Sequence, residues 1–206
     1  EAYANRDSLK YRSIYGLDDI LTLYRGTIRR VGFSKAWNIF VQLGMTDDSY
    51  TIENSENMSY RDFTNSFLAY NPNDSVELKL RYYLKIDQDD IIWEKLLELN
   101  IFDGSKKVGI KNATPAQILE KILKDSWTLQ KDDKDMIVMW HRFLYENNGE
   151  RHEVTSSLRL EGRDAVYTGM SDTVGWPMAI AAEAMLKGTF KQTGVDVPLH
   201  RDYYDV

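Results

Sequence analysis

The chain contains 206 residues, of which 43% are hydrophobic and 12% aromatic. That length suits one ordinary domain or two small ones, and the apolar content argues for a packed core and against disorder. The formal net charge is −6, and the sequence has no basic run, which argues against nucleic acid as a partner. No stretch of about 18 apolar residues occurs, so no membrane-spanning helix is expected.

The cysteine and histidine content limits the chemistry further. The chain has no cysteine, which excludes disulfides and thiolate catalysis and fits a reducing compartment. The histidines at positions 141, 152 and 200 lack a metal-ligand spacing, so no metal site is expected. The first residues lack the layout of a signal peptide and an initiator Met, so we expect Glu1 to be a cut end of a longer polypeptide.

The first section, residues 1–45, has the pattern of a strand followed by a helix. The run DILTLYRGTIRR is rich in β-branched and aromatic residues, which predicts a strand from about Leu21 to Arg30. After Gly32 the apolar spacing becomes that of one helix face, and Gly44 suits the C-terminal cap of that helix.

The middle section, residues 46–131, is predicted to be entirely helical. Three of its helix starts have the form of a capping box, and Pro115 suits the first helical position because its missing N–H costs nothing there. The three pairs are Ser59 with Asp62, Asp74 with Glu77, and Thr114 with Gln117. Several helices without an intervening strand indicate a small bundle.

The third section returns to strands around Asn147-Asn148-Gly149, where Asn-Gly predicts a tight hairpin turn. The first of the two runs, MIVMWHRF, is apolar on both faces, which predicts a strand buried inside a sheet that is covered on both sides. We expect the hairpin's Trp and Tyr side chains to lie in the core, and His141 to be a core or edge histidine.

The run SDTVGWPMAIAAEAMLKG predicts a final helix, with Pro177 in its first turn and Gly188 as its stop. The start of this helix is a candidate anion site, although capping by Asp172 or Thr173 is the preferred interpretation. The predicted buried stripe comprises Met178, Ala181, Ala182 and Met185.

These elements predict an α+β fold in which an all-helical insertion interrupts a mixed β-sheet domain with packed helices. Residues 1–45 and 132–206 would form the α/β domain, and residues 46–131 the insertion.

Arginines near turns are the best candidates for function. The sequence has no Gly-x-Ser-x-Gly and no Gly-x-Gly, so neither a serine-hydrolase elbow nor a nucleotide loop is indicated. Arg6 lies in the polar stretch NRDS, while Arg25 and Arg29 share one face of RGTIR around Gly26, which permits close approach. Their guanidinium groups suit a carboxylate ligand, and surface salt bridging is the alternative.

Five blocks of the sequence are informative together: NRDSLKYRSIYG, YRGTIRRVGFSKAWNIFVQLG, KDDKDMIVM, GMSDTVGWPMAIAAEAMLKG and GVDVP. They resemble the C-terminal part of the saccharopine dehydrogenase family, the glutamate-forming enzymes of lysine metabolism. The order and approximate spacing of the blocks match across nearly the whole chain.

The resemblance implies a substrate-binding portion of an NAD(P)-dependent oxidoreductase. In the family a Rossmann domain precedes this region and binds NAD or NADP, so that domain is expected to be absent here and the isolated chain to be inactive and to bind no cofactor. The substrate, saccharopine, would be oxidised and hydrolysed to glutamate and aminoadipate semialdehyde. The resemblance also implies a homodimer in the cytoplasm, with mitochondria as another possibility.

The same resemblance assigns substrate contacts to Arg6, Thr27, Ile28 and Arg29, with Ile28 acting through its backbone. Asn5, Asp7 and Thr173 are expected to support the site, and Arg25 is expected to be structural. The catalytic residues would lie outside this chain. Two alternatives stay open: a related carboxynorspermidine-synthase-like dehydrogenase, and a non-catalytic interaction module that keeps the fold.

Overall fold

The computed structural model describes residues 1–205 and divides into two compact units. One unit contains residues 1–6 and 24–128, and the other contains residues 7–23 and the chain from Leu129 onward. Helices and two antiparallel two-stranded sheets make up the elements of the described residues. The predicted α+β class is therefore confirmed.

Along residues 1–205, two short strands on either side of a short helix are followed by five helices, then by two strands of twelve residues each and a final helix. Two single 3₁₀ turns, Ser55–Asn57 and Arg201–Tyr203, accompany them. The elements are β1 (Ala2–Ala4), α1 (Tyr11–Ile14), β2 (Gly26–Ile28), α2 (Phe33–Leu43), α3 (Tyr60–Ser66), α4 (Val76–Leu84), α5 (Ile91–Glu98), α6 (Pro115–Trp127), β3 (Met136–Asn147), β4 (Glu150–Glu161) and α7 (Gly169–Leu186).

The hydrophobic core lies in the unit that holds α2 to α6. Each of these helices turns one apolar stripe inward, and burial of each large aliphatic side chain contributes about 1.5–3 kcal/mol relative to exposure. The most deeply buried side chains include Tyr60, Phe63, Leu80, Leu96, Ile118 and Ile122. Helix α2 adds Ile39, Phe40 and Leu43 to the same core.

Two of the three predicted capping boxes are confirmed. Ser59 Oγ accepts the Asp62 N–H at 3.0 Å, and Asp62 Oδ2 accepts the Ser59 N–H at 2.9 Å. Thr114 and Gln117 form the same reciprocal pair at the start of α6, with Pro115 as the first helical residue.

The third predicted box, Asp74 with Glu77, is wrong. Helix α4 begins one residue later than expected, so Ser75 is its N-cap and its hydroxyl accepts the Leu78 N–H at 3.2 Å. Asp74 instead accepts a hydrogen bond from the Asn71 side chain at 2.6 Å. Both Asp and Ser are good N-caps, so adjacent candidates differ only in which one reaches the third helical amide.

The predicted strand from Leu21 to Arg30 is much shorter than expected, since β2 covers only Gly26–Ile28. Its partner β1 has three residues, and a ladder cannot extend beyond the strand that pairs with it. Residues 21–23 belong to the other compact unit. The helix predicted after Gly32 and its cap at Gly44 are confirmed.

The predicted hairpin is confirmed and consists of β3 and β4 in continuous antiparallel register, from Met136 opposite Glu161 to Asn147 opposite Glu150. Asn148 and Gly149 both have positive φ, at 53° and 80°. These values are those of a tight turn whose twist matches the flanking strands.

The prediction that β3 is buried in a covered sheet is wrong for the described residues. β3 pairs with β4 alone. Trp140 and Tyr145 are 55% and 49% exposed and Phe143 is 55% exposed, so these aromatics are not core residues. His141 is exposed as well, and its ring stacks on Phe143 at a centroid distance of 6.1 Å. The apolar pattern of a strand shows which of its faces could be buried. It does not show whether another segment of the chain covers those faces.

The final helix differs from expectation in its start and in its buried face. α7 begins at Gly169, so Pro177 lies in its interior rather than in its first turn. Met178 and Met185 are 70% and 63% exposed, and Ala182 is exposed too, so the predicted buried stripe is wrong. The helix ends just before Gly188, whose φ is 74°, which confirms the predicted stop.

The boundaries predicted at residues 45/46 and 131/132 stay a prediction. Within residues 1–205, no helix is long and apolar enough to cross a membrane.

Candidate functional site

The β1–β2 ladder brings together the two sequence blocks that carry the candidate arginines. Tyr3 lies opposite Thr27 and Ala4 opposite Gly26. Backbone hydrogen bonds continue at both ends, from the Asn5 N–H to the Arg25 carbonyl at 3.2 Å and from the Arg29 N–H to the Glu1 carbonyl at 2.9 Å. Residues separated by more than twenty positions in the chain are thereby fixed in one short ribbon.

Gly26 is required for this ribbon. A Cβ atom at position 26 would lie 2.8 Å from the Tyr3 carbonyl oxygen, a backbone atom that cannot move aside without separating the strands. Glycine is therefore the residue that permits β1 and β2 to pair this closely.

Arg6 follows β1 in an exposed turn. Its φ of 50° places it in the left-handed region, which is uncommon for a residue with a side chain. Asp7 shapes the same turn, since its Oδ1 accepts the Leu9 N–H at 3.2 Å. In residues 1–205 the Arg6 side chain forms no hydrogen bond or ion pair, so its guanidinium donors remain for an external anion.

Arg29 follows β2 and is held from two sides. Its guanidinium carbon lies 5.3 Å from the centroid of the Phe33 ring, and its Nη1 donates to the Ile28 carbonyl at 3.3 Å. Phe33 in turn stacks on Tyr3 at 6.4 Å and on Trp37 at 6.0 Å. A flat cation on an aromatic face is the usual arrangement of a cation–π contact.

Thr27 and Ile28 lie between the two arginines. Thr27 is half-buried and shares the face of its cross-strand partner Tyr3, whereas the Ile28 side chain points to the opposite face. Only the backbone of Ile28 is thus available on the face of Thr27.

The arginines mark the two ends of the ribbon. Arg29 pairs with Glu1, and Arg6 follows Ala4 and Asn5 at the other end. With a strand rise of about 3.3 Å per residue, the four steps from Glu1, opposite Arg29, to Asn5, next to Arg6, place the two ends of the ribbon roughly 13 Å apart. The arrangement suits an elongated ligand with separated anionic groups, or two ligands at once.

In each unit, a carboxylate of the chain itself accepts hydrogen bonds from N–H groups at a helix N-terminus. Asp135 Oδ1 and Oδ2 accept the N–H groups of Gly169 and Met170 at 2.6 and 2.8 Å. The start of α7 is therefore occupied by an internal anion, and the N-cap is Thr168 rather than Asp172 or Thr173. Thr173 donates its hydroxyl to the Gly169 carbonyl at 2.8 Å, inside the helix.

Glu1 fills the start of α2 in the same way. Its Oε1 accepts the Ser34 N–H at 2.6 Å, and this hydrogen bond lowers the pKa of the Glu1 carboxyl. Sequence reasoning missed Glu1 and Asp135. Their only signal was an acidic residue at the edge of an extended apolar run, a pattern that is also common at exposed strand ends.

The described residues form neither a Rossmann-type dinucleotide site nor a cluster of metal-ligand side chains. Dinucleotides bind at the carboxyl ends of parallel strands beside a glycine-rich turn, but both sheets in residues 1–205 are antiparallel pairs. No group of three or more potential ligand side chains in this part of the chain could hold a metal ion.

An open apolar groove of about 480 Å³ lies on the helical unit. Its lining contains none of the four predicted substrate-contact residues. The lining residues are Trp37, Thr46, Ala116, Leu119, Glu120, Leu123, Lys124, Trp127 and Thr128.

The sequence and the fold both match known proteins. The profile of the family described as "Saccharopine dehydrogenase C-terminal domain" matches residues 1–206. The mitochondrial alpha-aminoadipic semialdehyde synthase of Rattus norvegicus is 30% identical over 99% of this chain and 22% of its own length. The NADP(+)-dependent, L-glutamate-forming saccharopine dehydrogenase of Saccharomyces cerevisiae is 28% identical over 98% of this chain and 46% of its own length.

A solved structure extends the match to three dimensions. The apo histidine-tagged saccharopine dehydrogenase (L-Glu forming) from Saccharomyces cerevisiae superposes with a TM-score of 0.81 at 27% identity, over 99% of this chain and 47% of that one. The chain thus spans less than half the length of the relatives that it matches. Since the family profile covers every residue, the chain belongs to the saccharopine dehydrogenase C-terminal domain family.

Proposed function

We propose that this chain is the substrate-binding portion of an NAD(P)-dependent saccharopine dehydrogenase. The observation that carries the proposal is the ribbon with two arginines: Arg6, unpaired in an exposed left-handed turn at one end, and Arg29, stacked on Phe33 at the other. Membership of the family supplies the substrate class, because the matched relatives are named for saccharopine or for its semialdehyde product.

The chemistry of saccharopine suits this ribbon. The molecule joins lysine to a glutaryl unit and carries three carboxylates on an elongated skeleton. Each guanidinium offers paired N–H donors in a fork that matches one carboxylate. Arg6 and Arg29 bind two of these carboxylates, Thr27 donates a neutral hydrogen bond, and Ile28 contributes its backbone.

Three further residues have supporting roles, each within its own compact unit. Asp7 fixes the turn of Arg6 through its hydrogen bond to the Leu9 N–H, and Asn5 extends the β1–β2 ladder beside it. Thr173 supports the start of α7 through its bond to the Gly169 carbonyl.

The complete protein oxidises the secondary amine of saccharopine, and water then releases glutamate and aminoadipate semialdehyde. Residues outside these 206 hold the nicotinamide cofactor and move the protons, which is consistent with relatives more than twice as long. In this proposal, residues 1–45 and 132–206 form the substrate domain, and residues 46–131 form the helical insertion. The 206-residue chain alone does not oxidise saccharopine.

The complete protein forms a homodimer through the β3–β4 ribbon. On one face of this ribbon, from Ile137 to Tyr145 on β3 and from His152 to Leu160 on β4, the register places no acidic or basic side chain apart from histidine. Two copies of this exposed apolar face can meet without charge repulsion, as a two-fold symmetric interface requires. The compartment is the cytoplasm, or the mitochondrion as the rat relative's name states.

The test is an assay of the complete polypeptide on a substrate panel. Purified protein is given saccharopine or carboxynorspermidine with NAD or NADP, and cofactor reduction is followed. Saccharopine oxidation supports the proposal, whereas turnover of carboxynorspermidine alone would replace it with the related dehydrogenase. Absence of any turnover, together with capture of a protein partner, would favour an interaction module. Saccharopine oxidation by the purified 206-residue chain would disprove the proposal that residues outside this chain hold the cofactor and move the protons.

A further inference from the structure

A continuous aromatic stack lies under the Arg29 guanidinium. Phe33, the first residue of α2, stands between Tyr3 and Trp37, and each pair of ring planes differs by 11°. Trp37 then meets the buried Phe40 edge-on, with centroids 5.8 Å apart. The stack therefore runs from the β1–β2 ribbon into the hydrophobic core, which fixes the position of the Phe33 ring.

The contact with Phe33 places the Arg29 guanidinium carbon over the ring, 5.3 Å from the ring centroid. A guanidinium has five N–H donors, all in its plane. Among residues 1–205, the Arg29 guanidinium donates to the Ile28 carbonyl and stacks on Phe33, and it forms no ion pair. The remaining donors are oriented by these two contacts and stay available for a carboxylate.

We propose that Phe33 is a positioning residue that holds Arg29 in the orientation that binds a substrate carboxylate. The inference rests on the proposed function of Arg29, and extends it to a residue that does not itself touch the substrate. A long arginine side chain loses rotational freedom when it binds a ligand, and an arginine that is already stacked loses less.

Arg6 provides the contrast inside the same site. No aromatic ring contacts its guanidinium in the described part of the chain, so no stacked ring orients it before a ligand binds. Phe33 therefore affects one end of the substrate, the end that Arg29 holds.

The experiment compares four forms of the complete polypeptide: wild type, Phe33→Leu, Arg29→Ala and the double variant. kcat, KM for saccharopine and Tm are measured for each form. We expect Phe33→Leu to raise KM about threefold with little change in kcat, since an exposed cation–π contact contributes in that range. Phe33→Tyr, which keeps an aromatic face, should restore the wild-type KM.

The double variant separates positioning from general packing. If Phe33 acts through Arg29, Phe33→Leu changes KM in the wild-type background and leaves KM unchanged when Arg29 is already alanine. An equal increase in both backgrounds, or no increase in either, overturns the inference. If Phe33→Leu lowers Tm too far for assay, Phe33→Met has a similar volume without the ring and gives the same comparison.

Failure of this inference is distinguishable from failure of the proposed function. If Arg29→Ala raises KM and Phe33→Leu does not, Arg29 binds substrate without help from Phe33, and only the positioning role is lost. If Arg29→Ala leaves KM unchanged, Arg29 does not bind a substrate carboxylate, and the positioning role of Phe33 is disproved as well.

Discussion

Asp135 caps the start of α7 by accepting the Gly169 N–H at 2.6 Å, and its second carboxylate oxygen accepts the next N–H, that of Met170. The residue comes directly before β3, so the pair of bonds ties the final helix to the hairpin within one compact unit. Little else is buried at this junction apart from Gly162 and Gly169. The cap is therefore a principal contact between the helix and the hairpin.

Replacing Asp135 with alanine should destabilise α7. Loss of a helix cap typically costs about 1–2 kcal/mol, and here two amides lose their acceptor together. Hydrogen exchange at the amides of Gly169 and Met170 should accelerate in Asp135→Ala, while the amides of α6 in the other unit keep their protection. Asp132→Ala is the control, since Asp132 is exposed and lies before the same strand. Equal exchange in both variants would show that the cap does not stabilise the helix.

Replacing Gly26 with alanine should disrupt the β1–β2 ribbon. The new Cβ would lie 2.8 Å from the Tyr3 carbonyl oxygen, so the strands must separate and Thr27 and Arg29 must shift. In the complete polypeptide, we expect a clear increase in KM for saccharopine and only a small decrease in Tm. The control is Gly175→Ala inside α7, where nothing lies within 4 Å and where alanine should add about 0.5–1 kcal/mol of stability. A wild-type KM in Gly26→Ala would contradict the role assigned to the ribbon.

Replacing Tyr60 with phenylalanine should reveal a pH-dependent contact in the helical core. The Tyr60 hydroxyl donates to Asp125 Oδ2 at 2.6 Å, and hydrogen bonds from Lys121 and Tyr60 lower the pKa of the Asp125 carboxyl. Since this pKa is lower in the folded state, the contribution is complete above the unfolded pKa of about 3.9 and is lost as the pH falls through the folded value.

The expected cost of Tyr60→Phe at neutral pH is about 1 kcal/mol, the usual contribution of one such hydrogen bond. The difference from wild type should shrink as the pH falls below the unfolded-state pKa of about 3.9 and through the lowered pKa of folded Asp125. Urea unfolding midpoints at neutral and at acidic pH measure this change. Tyr82→Phe, at a site 70% exposed, should leave both midpoints unaltered. A difference for Tyr60→Phe that grows in acid would refute the assignment.

Local signals in the sequence predicted local structure well. Capping boxes at Ser59 and Thr114, the glycine stop at Gly44 and the Asn148-Gly149 turn are each set by backbone hydrogen bonds within a few residues. The start of α7 was placed too late, although its N-cap Thr168 is a local signal; the second acceptor at this helix start, Asp135, lies 34 positions before Gly169 in the chain. The extent of β2 was missed because it depends on the length of β1, which periodicity does not report.

The sequence named the candidate site residues, whose role stays a prediction, but it did not show what holds them in place. Guanidinium chemistry and the resemblance to the family singled out Arg6 and Arg29, and the ladder places both on one ribbon. The stack of Arg29 on Phe33 could not be read from the sequence. Phe33 also fits the apolar face of α2, so its position favoured a core role.

The most direct test of the central claim is saccharopine binding by the complete polypeptide and its Arg6→Ala and Arg29→Ala variants, measured by titration calorimetry. Each lost charge-assisted hydrogen bond should weaken binding by about tenfold or more. Lys35→Ala is the control for a lost positive charge, since Lys35 is an exposed residue of α2. Weaker binding in both arginine variants, with a wild-type affinity in Lys35→Ala, is the result that the account predicts. Wild-type affinity in both arginine variants would contradict it.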